Sequence, residues 1–243
     1  MPRKKTESLD ADLFLRSINI AFDSNHPERI SHFRPTTKCT SLVRALLGLE
    51  SDRAFFLVAP YGSGKSLTSS YVVHLVENSK KSSDVRRAIN KRLDVVSPDL
   101  AKLSERRRAS KTKRGIAIAI HGRTENLGEE IKQSAIASMK RSGLGRNTRS
   151  LSSLNSSDPI EVIKCIKEVC TKNSCDTVTI IWDEFGRHLE SLVAKGRGDE
   201  LSEIQSIAEY VSRSQKIKMT FCLILHQGLL HYASGIPQAM RTD

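Results

Sequence analysis

A chain of 243 residues with 38% hydrophobic content holds enough apolar material for one large domain and its core. No stretch approaches the roughly 18 apolar residues of a membrane helix, and the start MPRKKTESLD has a basic run with no apolar segment behind it, so neither a membrane span nor a secretory signal is expected. The odd count of five cysteines (Cys39, Cys165, Cys170, Cys175 and Cys222), with no C-x-x-C pair, points to reduced thiols in a cytoplasmic protein rather than to disulfides or zinc.

Residues 1–8 are expected to be disordered, and Ser8 or Asp10 to cap a helix carrying Leu9, Leu13, Leu15, Ile18 and Ile20. HPERISHFRPTTKCT is a polar connector that ends in a helix cap, Thr37 or Thr40. The helix it opens carries Leu42, Val43, Leu46 and Leu47 and closes at Gly48. Residues 1–29 are read as an N-terminal extension to a core spanning 30–243.

Residues 54–66 read AFFLVAPYGSGKS. Ala54 to Val58 is a short apolar strand, a turn of Pro60, Tyr61, Gly62, Ser63 and Gly64 follows, and Lys65 and Ser66 open a helix to about Asn78. Strand, phosphate-sized loop and helix N-terminus come in the order of a P-loop. Glycines let successive N–H groups curl inward around an anion. The helix N-terminus adds its unpaired donors and the positive end of its dipole. Lys65 can reach β- and γ-phosphates, and the Ser66 hydroxyl is a usual Mg²⁺ ligand. The pattern is G-x-x-x-x-G-K-[ST] with Ala59 at the first glycine. Pro60, Tyr61, Gly62, Ser63, Gly64, Lys65, Ser66 and Leu67 are therefore the candidate nucleotide-binding residues.

Most of the chain's net charge of +12 falls on Lys80–Arg114, where thirteen Lys or Arg face four acids, an excess of +9 in 35 residues. Two helices broken near Ser97-Pro98 are expected there. The segment reads two ways: as a phosphate-backbone contact for DNA or RNA, or as a solvated helical insertion. It holds no aromatic residue, so base stacking is not indicated.

Gly115 to Ile120 is a buried strand, Leu127 to Arg141 a helix, 142–158 a Ser-, Gly- and Asn-rich loop, and Pro159 to Thr171 a helix. TVTIIWDE (Thr177 to Glu184) is an apolar run without alternation, as in a doubly buried central strand, and it ends in two acids. Ligands of parallel sheets bind at this end. Asp183 is the candidate Mg²⁺ ligand, and Glu184 the group that polarises an attacking water. Arg187 and His188 follow, either as contacts to nucleotide or a neighbouring subunit, or on a helix surface. Ser202 to Ser212 is a helix, and Lys218 to Leu225 another buried strand, ending in His226 and Gln227.

APYGSGKS and TIIWDE together resemble the Walker A and Walker B motifs of P-loop ATPases, in the AAA+-like branch with a catalytic glutamate beside the Mg²⁺ aspartate. WDEFGRHLE and LILHQ also resemble large ATPase subunits of bacterial phage-defence systems. The resemblance implies ATP and Mg²⁺ as cofactors and a three-layer α/β sandwich. The parallel strands would run 1-4-3-2 from the loop strand, with a fifth strand beside strand 1 and a helical lid after it. Nothing after Leu225 reads as that strand or lid, so a truncated core is expected, with ATP hydrolysis slow in the isolated chain. A polar residue at the end of strand 4 orients the attacking water in the resembling family. Gln227 suits that role, with His226 as the alternative. The implied activity is that of the motor or switch domain of a homo- or hetero-oligomeric, nucleic-acid-handling assembly. A nucleotide-binding interaction module with little turnover of its own is the alternative. DEFG (Asp183–Gly186) also fits the D-x-x-G of GTPases, but no N-K-x-D or T-K-x-D follows to read guanine.

Overall fold

The computed structural model describes residues 18–233 apart from Lys111 and Asp199. The expected disorder over 1–8 and most of the first expected helix lie outside the described residues.

The chain opens with α1 (Ile20–Asp23), capped by Asn19, and a 3-10 turn at Pro27–Ile30. Helix α2 (Thr37–Leu46) is capped by Thr36, whose hydroxyl accepts from the Cys39 N–H at 3.3 Å, one residue earlier than expected. Strand β1 (Ala54–Val58) leads through the glycine-rich loop into α3 (Lys65–Glu77). A 3-10 turn (Lys80–Ser82) then opens the pair α4 (Ser83–Val96) and α5 (Pro98–Ala109). Pro98 has no N–H to continue a helix, but it fits a helical first turn, so the break falls at Ser97.

Next come β2 (Gly115–His121), α6 (Leu127–Arg141), the short α7 (Arg149–Ser152) and α8 (Pro159–Lys172). Asn126 caps α6 through the Glu129 N–H, and Asp158 caps α8 through the Ile160 N–H. The chain continues through β3 (Thr177–Asp183), α9 (Phe185–Lys195), α10 (Glu200–Ser212), β4 (Lys218–Leu225) and α11 (Leu229–Ala233). The loop expected over 142–158 is more ordered than its composition suggests. It forms a 3-10 turn at Gly145–Asn147 and α7, pinned by Leu144 and Leu151, both buried.

Among the described residues the sheet has four parallel strands in the order β1-β4-β3-β2. That is the 1-4-3-2 order expected above. Each strand alternates between two cores. Ile116, Ile118 and Ile120 of β2, Val178, Ile180 and Trp182 of β3, and Phe221, Leu223 and Leu225 of β4 pack under α6, α8 and α10. Ala117, Ala119, Ile181, Cys222 and Ile224 face the opposite core, which α2, α3, α4 and α5 cover. Helices on both faces make three layers, so strands buried on both sides read as unbroken apolar runs. Each fully buried Ile, Leu or Val contributes about 1.5–3 kcal/mol. On the second face the Thr179 and Thr220 hydroxyls both donate to the Leu46 carbonyl at 2.9 Å, which ties the end of α2 to the sheet.

The described part of the 1–29 extension belongs to this core. Ile20 is fully buried in the same cluster as Ile30, Phe33 and α3. The two sheet edges differ. On β2, the Ala117 and Ala119 N–H groups donate to Ser138 and Ser134 of α6, both at 2.8 Å. At the β1 edge Phe56 and Val58 stay about half exposed, 48% and 49%.

Candidate active site

Parallel strands bring the ends of β1, β3 and β4 to one edge, where Val58 pairs with Leu225 and Trp182 with Leu223. The Ala59 N–H donates to the Leu225 carbonyl at 3.1 Å, so the loop starts against the end of β4. Gly62 (φ 76°) and Gly64 (φ 82°) then turn the chain through the left-handed region. A Cβ on either would meet open space, so it is the backbone angle that calls for glycine.

Lys65 is the first residue of α3 and only 6% exposed. Its Nζ donates to the Pro60 carbonyl at 3.0 Å and lies 5.4 Å from the Tyr61 ring centroid. Burial lowers its pKa, opposed by the negative charges of Asp183 and Glu184. The lysine is thus held across its own loop, within electrostatic reach of the two acids. Ser66 is partly exposed on the same first turn, and Leu67 packs at the margin of the α3 core.

Asp183 is 1% exposed at the end of β3. Its Oδ1 accepts from the Glu184 N–H at 2.9 Å, while its buried Oδ2 has no hydrogen-bond partner. A buried carboxylate oxygen left unpaired costs free energy, and such costs gather at sites completed by a ligand. Glu184 sits at φ 54°, a left-handed conformation uncommon for a non-glycine residue. Glu184 is 9% exposed. Arg187 Nε lies 3.0 Å and His121 Nε2 3.6 Å from Glu184 Oε2.

Of the two polar residues after β4, His226 is partly buried and stacks on Tyr61 with ring centroids 3.5 Å apart, whereas Gln227 is exposed. Both ring nitrogens of His226 lack partners. Burial, then the charge of Lys65, lowers its pKa, opposed by Asp183 and Glu184. The His226 side chain thus faces the loop, and that of Gln227 faces solvent. Arg187 lies on the helix surface, 63% exposed. His188 does not: it is 3% exposed against Trp182 and Phe185, and burial lowers its pKa to about 4. No motif singles out His121. Its signal is register, since it ends β2 directly opposite Asp183.

Lys80–Arg114 is not one solvated face. Arg86 is 1% exposed, with Nε donating to the Ser82 hydroxyl at 3.1 Å and Nη2 to the Ser79 carbonyl at 3.2 Å. Arg107, 6% exposed, donates to the Leu75 and Val76 carbonyls and pairs with both Asp176 oxygens at 2.5 and 2.8 Å. Arg92 donates to the Ser31 and Phe33 carbonyls. These three arginines fasten α4 and α5 to the core, so the pair is an integral layer of the fold. Lys80, Lys81, Arg87, Lys91, Lys102, Arg106 and Lys113 are exposed.

Among the described residues, no three His, Cys, Asp or Glu side chains gather as a metal-holding group. A single buried carboxylate with an unpartnered oxygen is the kind of ligand suited to a cation that keeps most of its water and shares phosphate oxygens, as Mg²⁺ does. No helix among the described residues is long and apolar enough to cross a membrane. Comparison with family models, with curated proteins and with solved structures finds no match for this chain.

Proposed function

We propose that the chain is a Mg²⁺-dependent ATPase domain of the P-loop, AAA+-like type. The observation that carries this reading is a convergence at one sheet edge. A loop with two left-handed glycines feeds Lys65 into α3, and Lys65 lies within electrostatic reach of a buried Asp183 with an unpartnered oxygen and of a left-handed Glu184. The strand order, with β4 between the loop strand and the acid strand, supports it.

On this reading the N–H groups of residues 62–66 and Lys65 hold the phosphates, and Ser66 and Asp183 hold Mg²⁺. Bound with ATP, Mg²⁺ supplies charge neutralisation at the transferring phosphoryl group. Glu184 accepts the proton of the attacking water. Arg187 and His121, both within 3.6 Å of its Oε2, hold the carboxylate until it is used. His226 orients polar groups from the β4 side, a role for which its free ring nitrogens fit it better than the exposed Gln227. Lys65 carries its positive charge in a poorly solvated position, where it acts more strongly than in water.

A second reading, a nucleotide-binding interaction module with little turnover of its own, is favoured by the exposed β1 edge with Phe56 and Val58. The wider role, as the motor or switch of a nucleic-acid-handling, phage-defence-like assembly, rests on the resemblance of WDEFGRHLE and LILHQ and on the exposed cations of α4 and α5.

Phosphate release tests the two. Glu184→Gln is expected to keep ATP binding and to lower turnover by about 10²-fold or more. Wild-type turnover in that variant would remove Glu184 from the proton-accepting role. Specific activity that rises with protein concentration supports a catalytic assembly, and a flat, near-zero rate supports the module.

A further inference from the structure

A second basic feature lies at the opposite end of the sheet, where β2 begins. The end of α3, the start of α4, the end of α5 and the end of α6 enclose a cavity of about 520 Å³. That volume suits a small-molecule ligand. Among the described residues, eight Lys or Arg line it and no Asp or Glu does.

Two of the eight already have carboxylate partners: Arg108 pairs with Glu105, and Arg141 with Glu77 at 2.6 Å. The other six, Lys80, Lys81, Arg86, Lys113, Arg114 and Lys140, form no ion pair among the described residues.

Behind the exposed lysines, Arg86 and Arg114 also line the cavity. Arg86 is 1% exposed, and although its Nε and Nη2 donate to Ser82 and Ser79, its Nη1 has no hydrogen-bond partner, and neither does Arg114 Nε. An unpartnered buried donor costs free energy, and the positive field of these two guanidiniums adds to that of the lysines in front of them. The cations converge on one concavity rather than tracking a groove, which favours a compact anion.

We propose that this cavity binds a compact polyphosphate group, separately from the nucleotide reading of the other sheet edge. Arginine forks and lysine ammoniums together match clustered phosphate oxygens. The probe is inorganic tripolyphosphate in Mg²⁺-free buffer, titrated calorimetrically into the full chain carrying Lys65→Ala, so that the glycine-rich loop does not report. One-to-one binding is expected.

Adding Lys80→Ala, Lys113→Ala and Lys140→Ala, all exposed side chains, should weaken binding about tenfold or more without altering the far-ultraviolet circular dichroism. Lys91→Ala with Lys102→Ala, exposed on α4 and α5 but outside the cavity, should leave it unchanged. No binding by the Lys65→Ala chain, or equal loss in both lysine sets, would overturn the site. Displacement of tripolyphosphate by a short single-stranded oligonucleotide would identify a nucleic-acid backbone as the source of the phosphates. Failure to displace it would identify a free polyphosphate.

Discussion

Arg107 and Arg106 are neighbours with opposite fates. Arg107 is enclosed by carbonyls and Asp176, while Arg106 faces solvent. Arg107→Ala would leave two buried carbonyls and a carboxylate without their donor, and is expected to cost about 2–4 kcal/mol. Arg106→Ala should stay within about 0.5 kcal/mol. Urea midpoints of the two variants check the contrast, and equal midpoints would contradict it. His74 makes a second residue-scale test. It is 1% exposed, and burial lowers its pKa from the ordinary 6.5 to about 4. The folded chain keeps it neutral while the unfolded chain takes up a proton below about 6.5. Its contribution is therefore fully present above that pH and is lost as pH falls towards 4, an effect of at most about 3 kcal/mol. His188, also held near 4, acts in the same direction. His74→Gln should flatten the loss of urea midpoint between about pH 7.5 and about pH 5, and an unchanged slope would remove His74 as a cause.

At the scale of elements, the glycine-rich turn depends on backbone angles more than on space. With φ 82° and open space where a methyl group would stand, Gly64→Ala should cost about 1–2 kcal/mol through conformation alone. Chemical denaturation measures this, and an unaltered midpoint would mean that the loop settles equally well in another conformation. The strands are legible in the sequence because β2, β3 and β4 are predominantly apolar runs buried on both faces. The break at Ser97 is legible because proline chemistry is local. The direction of individual polar residues is not. Arg86 shares a helical stripe with Ile89 and Leu93, Arg107 shares one with Leu100 and Ser104, and His188 shares one with Phe185 and Leu192. Those stripes are present in the sequence, but a run of charges obscures them, and tertiary partners decide which cation turns inward. Leu144 and Leu151 are hidden for a related reason. Two apolar residues in a Ser- and Gly-rich stretch make no period, and only packing under α6 and α8 orders them. For the candidate site, motif spacing is enough to name Lys65, Asp183 and Glu184. Which of His226 and Gln227 turns toward the loop, and that His121 ends β2 opposite Asp183, depend on strand register.

At the scale of the whole molecule, the sheet separates two basic features. Lys65 and its loop stand at the strand C-termini beside two acids, and the acid-free cavity stands where β2 begins. Helices cover both faces of the sheet, α6 binds the β2 edge, and burial falls away at β1. The central claim is that the Lys65 end takes Mg²⁺-ATP. Calorimetric titration of ATP with Mg²⁺ into the parent chain and into Lys65→Ala tests this most directly. One-site binding by the parent and its loss in the variant are the expected results. Equal affinity in the two chains, or no binding by the parent, would contradict the claim.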